Sequence, residues 1–346
     1  MSSSKINEAV FLKRILASNF SRGFPYKLTF ALTYKCNLKC VICGIWQRQP
    51  ENELSLEEIT RFFKNSNSFS WLDLTGGEIF LREDLEDIIN AAFFYCRRLC
   101  VLHFPTNGQL PEKVISLAGK IRGRNKAKLI ITVSLDGPEA VHDRIRGSSG
   151  AWQKAVRAFT GLKEAGLKNV YIGYTLSEYN RGKIDETFLA VKEKYPGFKY
   201  DDLHMNFFHN SGHYLNNALM RCLPESSVME EFKMVRQKKQ DQGIKGLLEK
   251  RYAGLIPGYL ATKKMPIKCR ALRASVFMDP CGNIFPCSIY DKKFANIRQI
   301  DYRLANAWKD KKNLAGIENN IRNKECPGCW TACEAYPAIL GSLLPT

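Results

Sequence analysis

From Lys27 to about Asn210 the chain alternates six short strand-like runs with helical segments, and few folds accommodate that order. The runs are KLTFALT, WLDLT, VLHFPT, KLIITVSL, NVYIGYTL and LHMNFF. Each is rich in β-branched or aromatic residues and short enough for a buried strand. Between them, SLEEITRFFKN opens on Ser55 and places Glu58 three residues on, a capping box. REDLEDIINAAFFYCRRL and AWQKAVRAFTGLKEAG have helical periodicity, and Gly166 is a suitable stop. Strands separated by helices predict parallel β/α units joined by right-handed crossovers. The expected fold class is α/β: a partial (β/α)6 barrel which, with a helical extension, spans residues 27–262. Such a barrel carries its active site at the C-terminal ends of its strands.

The loop after the first strand, ALTYKCNLKCVICGIW, holds Cys36, Cys40 and Cys43, at the correct end of the barrel. The 346-residue chain has 12 cysteines, and most of the rest gather near its end: Cys269, Cys281, Cys287, Cys326, Cys329 and Cys333. The N-terminal sequence lacks a signal peptide's apolar stretch, and no run is long enough to span a bilayer. The expected location is therefore cytoplasmic, where thiols stay reduced and clustered cysteines read as metal ligands. Cys96, Cys100 and Cys222 stand apart, and packing is the expected role for the first two. A formal net charge of +18 favours an acidic partner or an anionic surface without identifying one.

A 4Fe–4S cluster normally takes four thiolates, so a three-cysteine loop leaves one iron open for substrate or cofactor. Cys36-x3-Cys40-x2-Cys43 resembles the signature of the radical S-adenosylmethionine (radical SAM) enzymes. The resemblance implies that S-adenosylmethionine completes the open iron and is cleaved reductively to a 5′-deoxyadenosyl radical. It also implies an electron donor of the flavodoxin or ferredoxin type. Thr75-Gly76-Gly77-Glu78 looks like the family's GGE motif, with Gly76, Gly77 and Glu78 about the cofactor's amino group; Ile79 stands where many relatives have proline. Ser134-Leu135-Asp136-Gly137 and the following His142–Gly147 segment are similar to the part that binds the cofactor carboxylate. Ser134 and Arg146 are the assignments there, with Arg144 competing. By the same resemblance Asn107 reaches the ribose, while Ile42 and the backbone near Tyr174 meet the adenine. The likeness covers about residues 27–210.

Residues 263–346 resemble the auxiliary-cluster domains of this superfamily, called SPASM or, when shortened, twitch. The likeness rests on Cys269-x12-Gly282-x4-Cys287 followed by Cys326-x2-Cys329. Four thiolates imply one auxiliary 4Fe–4S cluster, with Cys333 as an additional candidate ligand and Cys281, at a hairpin turn, as a non-ligand. Zinc is the alternative metal for either set, because all-cysteine sites with a CxxC pair suit it as well. In the sixth strand, His204 and Asn206 share one face and are expected to point inward toward substrate. Residues 1–26 form an amphipathic basic segment with two readings: a helix capping the barrel, or one that lies on an anionic membrane as a peripheral contact. The expected substrate is an anionic small molecule or a lipid-linked one. A peptide is the runner-up, and a zinc-bearing nucleic-acid-binding protein is a third reading that no nucleic-acid module supports.

Overall fold

The computed structural model describes residues 3–20, 24–49, 51–218, 225–240, 243–323 and 325–343. Cys222 lies outside the described residues. The six expected strands form where the β-rich runs stand: β1 Lys27–Ala31, β2 Trp71–Thr75, β3 Val101–Thr106, β4 Lys128–Ser134, β5 Val170–Leu176 and β6 Leu203–Phe207. They pair in parallel and in chain order, the arrangement that right-handed β/α crossovers produce. Leu72, Leu74, Leu102, Phe104, Ile131 and Val133 alternate along these strands and lie fully buried. Polar residues occupy the alternate positions, as the period of two requires.

Ser55 caps the helix Leu56–Asn65 by the capping box foreseen in the sequence: its side chain accepts from the Glu58 N–H, and Glu58 accepts from the Ser55 N–H. The helix expected over REDLEDIINAAFFYCRRL is shorter, Leu85–Tyr95. Arg82 lies outside it because its guanidinium grips Asp84 and the carbonyls of Leu32 and Leu54. Cys96 is buried as expected, whereas Cys100 is only half-buried. Gly166 ends the helix Ala151–Glu164 at φ 76°.

The hairpin SVFMDPCGNIFPC forms β7 Ser275–Met278 and β8 Asn283–Phe285, with β9 Ala295–Asn296 beside them. β7 also pairs in parallel with β1, so a single nine-stranded sheet runs from β6 through β1 to β9. The C-terminal cysteine region is thus joined to the barrel edge to edge. Below that join, Lys27 is completely buried; its Nζ contacts Asp73 at 2.8 Å and donates to the Cys333 carbonyl at 2.6 Å. Asp73 also meets His103 Nδ1 at 3.1 Å, and His103 Nε2 meets Thr132 Oγ1 at 3.0 Å. This chain of contacts ties β1 to β4 across the barrel floor.

The N-terminal segment folds as a helix, Ser3–Phe20. The face expected to enter a membrane is largely turned to the protein: Ile15 is buried, and Phe11 meets Tyr26 edge-on. Arg14 donates to the carbonyls of Ser68, Phe24 and Pro25. No helix among the described residues is long and apolar enough to cross a membrane.

Candidate active site

A cavity of about 290 Å³ opens at the C-terminal ends of the barrel strands. Its wall contains Cys36, Cys40 and Cys43 together with Ile42, Gly76, Gly77, Asn107, Ser134, Arg146 and Asn206. Residues that the sequence reading scattered over five strand ends therefore meet in one place. The cysteine loop is held from three sides. Glu53 accepts from Thr33 Oγ1 and from the Tyr34 N–H, at 2.9 and 2.6 Å. Gly77 and Glu78 donate their N–H groups to the carbonyls of Thr33 and Lys35 at 2.7 and 2.8 Å. From the far side, Gly44 donates to Leu215 O, and Asn217 Nδ2 donates to Ile42 O.

The two glycines have a steric duty here. Gly76 sits at φ 149°, and a Cβ on it would come within 2.4 Å of Thr33 O; on Gly77 it would come within 2.2 Å of Lys35 O. Only glycine lets the β2 end lie this close to the cysteine loop. Glu78 stands behind the cavity wall. Its carboxylate accepts from the Asn107 N–H at 2.6 Å and from Thr106 Oγ1 at 3.0 Å, and burial pushes its pKa up to about 7. Asn107 in turn donates to Asn37 Oδ1 at 2.8 Å. Glu78 therefore fixes the end of β3 against the cysteine loop.

Of the two competing arginines, Arg146 lines the cavity. Arg144 instead donates to the Tyr179 carbonyl at the surface. Arg146 Nη1 lies 3.8 Å from Cys40 Sγ, and Nη2 lies 2.5 Å from the fully buried Asp136 carboxylate. Its Nε is buried with no hydrogen-bond partner, a donor available to a bound carboxylate. Asp136 belongs to the SLDG run, but nothing in the sequence marks it as the partner of this arginine. The loop 209–217 follows the sixth strand, where His209 and His213 stand out in the sequence, but no periodicity marks Tyr214 or Asn217. It supplies His209 and Tyr214 to the wall, and the Tyr214 hydroxyl meets Thr75 Oγ1 at 2.8 Å.

One expected site residue lies elsewhere, and of another, expected through its backbone, the side chain turns away. The Tyr174 side chain is buried on the opposite face of β5 and donates to Asn180 O; its neighbour Thr175 lines the cavity. His204 shares a face with Asn206 but sits below the cavity. There its Nδ1 meets Glu249 at 3.2 Å and Tyr336 at 3.3 Å, because the helices Gly243–Thr262 and Ala332–Ser342 bring those partners beneath β6.

A second cavity, of about 260 Å³, is lined by Cys269, Cys287, Cys326 and Cys329, the four cysteines expected to act together. Cys333, expected as an additional ligand there, lines the barrel cavity instead. Cys281 reaches neither cavity and donates to Glu51 O. Among the described residues, no three His, Cys, Asp or Glu side chains already close around a single ion. The thiols of each set ring a cavity, the arrangement that a multi-iron cluster fills. Burial, with the neighbouring Cys40 and Cys36, pushes the Cys43 thiol up to about 12. Burial together with Glu334, Cys329 and Cys269 pushes Cys287 well above its ordinary value. Crowded, desolvated sulfurs of this kind favour a bound cation over free thiolates. The donor sets fit iron–sulfur clusters in both places.

A parallel β/α barrel with a thiol-lined cavity at its strand ends and a joined all-cysteine region is the frame of a cluster-dependent barrel enzyme. Residues 30–191 match the family model "Radical SAM superfamily". It is 26% identical to the mycofactocin maturase MftC of Mycolicibacterium smegmatis, over 95% of this chain and 81% of that protein. It is also 26% identical to the antilisterial bacteriocin subtilosin biosynthesis protein AlbA of Bacillus subtilis, over 82% of this chain and 60% of that one. An AdoMet-dependent heme synthase of Methanosarcina barkeri is 26% identical, over 92% and 90%. Among solved structures, Streptococcus suis SuiB bound to precursor peptide SuiA superposes with a TM-score of 0.62 at 17% identity, covering 90% of this chain and 70% of that one. The chain is a radical SAM enzyme with an auxiliary-cluster region, and its cofactors are the 4Fe–4S cluster and S-adenosylmethionine of the family together with an auxiliary cluster.

Proposed function

We propose that this enzyme modifies a peptide by radical chemistry. Cys36, Cys40 and Cys43 hold the catalytic cluster, and Cys269, Cys287, Cys326 and Cys329 hold the auxiliary one. When bound, the catalytic cluster and S-adenosylmethionine supply a 5′-deoxyadenosyl radical that takes a hydrogen atom from substrate. Around the cofactor, Arg146 and Ser134 bind its carboxylate, and the Gly76–Gly77 backbone faces its amino group. Asn107 reaches the ribose, while Ile42 and the backbone beside Tyr174 border the adenine. Glu78 acts through Asn107, by fixing that residue's backbone. Asn206 faces substrate.

The observation that carries the reading is one cavity gathering three cysteines and the cofactor-motif residues, in a chain similar over most of its length to a maturase and to a bacteriocin-biosynthesis protein. That similarity favours a peptide over the anionic small-molecule or lipid-linked substrate expected from charge. The heme synthase relative supports an anionic small molecule as the second reading. The test uses enzyme reconstituted anaerobically with iron and sulfide and given S-adenosylmethionine and dithionite. Short peptides encoded beside its gene should stimulate 5′-deoxyadenosine release and gain a mass change. Stimulation by an iron porphyrin or another small anion, with none by peptides, would reverse the assignment.

A further inference from the structure

The segment 329–334 forms a partition between the two cavities. Cys329 and Glu334 line the auxiliary side; Thr331 and Cys333 line the barrel side with Cys36, Cys40 and Cys43. Cys333 and Glu334 are successive residues in the first turn of the helix Ala332–Ser342, and about 100° of helical rotation aims their side chains in different directions. The backbone there is fixed, because the buried Lys27 ammonium holds the Cys333 carbonyl at 2.6 Å. Cys333 is thus held rigidly in the wall of the cavity where the cofactor and the reacting part of the substrate meet. Its direction is set by the pairing of β1 with β7 and by the Lys27 contact, not by the spacing of the cysteines.

We propose that Cys333 is a hydrogen-atom donor of the barrel site and not a ligand of the auxiliary cluster. An S–H bond is weaker than the C–H bonds of a sugar or an unactivated alkyl carbon and close in strength to a peptide Cα–H bond, so a thiol in contact with a carbon radical gives up its hydrogen atom readily, downhill to the former and near thermoneutrally to the latter. In turnover the S–H bond of Cys333 breaks homolytically, and its hydrogen forms the new C–H bond of the product. The thiyl radical left behind returns to the thiol by taking one electron and one proton. The electron comes from a reduced iron–sulfur cluster in the adjoining cavity, across the Cys329–Cys333 partition, and the proton from water. Radical formation at one position followed by this return of hydrogen makes the overall reaction an epimerisation or a rearrangement, in which the substrate undergoes no net oxidation. The inference rests on the radical SAM chemistry of the barrel and is independent of the peptide reading.

The test therefore needs no substrate. Reconstituted enzyme is given S-adenosylmethionine and dithionite in deuterated buffer free of added thiols and glycerol, so that the exchanged thiol carries deuterium. Uncoupled cleavage should yield 5′-deoxyadenosine bearing one deuterium at the 5′ carbon. Cys333→Ser, whose O–H bond is too strong to serve, and Cys333→Ala should lose most of that label while keeping the wild-type iron content and visible spectrum. In the unmutated enzyme, with its clusters assembled, iodoacetamide should label Cys333 and spare Cys269, Cys287, Cys326 and Cys329. Unchanged deuterium in both variants overturns the donor role. Loss of iron from either variant, or protection of Cys333 from alkylation alongside the other four, makes it a cluster ligand and overturns the proposal as well.

Discussion

The two cysteine-lined cavities use similar chemistry in different ways. The barrel set comes from one loop, Cys36 to Cys43, tethered between Glu53, the glycines of β2 and the 209–217 loop. The auxiliary set is drawn from a β-hairpin and two distant loops, and its sulfurs come together because β7 pairs with β1 and the C-terminal helix docks under β6. Three thiols with an arginine, a serine and an asparagine leave one coordination position for a cofactor that those side chains can orient. Four thiols close a cluster and leave it to hold or pass an electron. An open site needs local precision, which a short braced loop provides. A closed site acquires its position from the fold.

Removing the open set gives the largest effect. Cys36, Cys40 and Cys43 all replaced by alanine should abolish 5′-deoxyadenosine formation while about four irons remain, those of the closed site. Iron analysis and chromatography of the nucleoside read both outcomes, and cleavage surviving in that variant would dissolve the distinction. Next is the brace beneath both cavities. Lys27→Met takes the ammonium from the buried Asp73 and leaves it with the His103 and Trp71 contacts, at a cost of about 3–5 kcal/mol in urea unfolding. Adding Asp73→Leu should restore much of it, since that removes the stranded charge.

Glu78 gives a pH-dependent effect of up to about 3 kcal/mol, the equivalent of its pKa rising from 4.5 to about 7 on folding. The folded state prefers the protonated acid. The contribution is therefore present below pH 4.5 and is lost as pH rises toward 7. Glu78→Gln should flatten stability across that window relative to wild type, and parallel slopes would show that the carboxylate stays ionised. Arg146→Ala should weaken S-adenosylmethionine binding about tenfold or more, from loss of a charge-assisted contact worth about 1.5–3 kcal/mol. Arg144→Ala, whose guanidinium faces the surface, should leave affinity unchanged in equilibrium titration. The smallest effect is Ser55→Ala, which removes one cap hydrogen bond for about 1 kcal/mol and leaves cofactor affinity untouched.

Local order in the sequence determined much of this protein. Strand and helix periodicity fixed the six parallel strands, because each run carries its own β-branched or helical pattern. The capping box at Ser55 and the stop at Gly166 depend only on neighbouring residues and formed as expected. The cysteine loop and the GG and SLDG turns were legible because each follows a strand directly. Tertiary structure alone decided the rest. Arg146 and Arg144 are two residues apart on a single helix, and only the packing of that helix on the barrel separates cavity from surface. Asn206 and His204 share a strand face, but helices from far along the chain close over one and leave the other in the cavity. Cys333 lies four residues after Cys329 and still lines the opposite chamber. Spacing along a chain does not determine direction in space; for these residues it is set by contacts with other elements, Asp136 and Cys40 for Arg146, Glu249 and Tyr336 for His204, and Lys27 for Cys333.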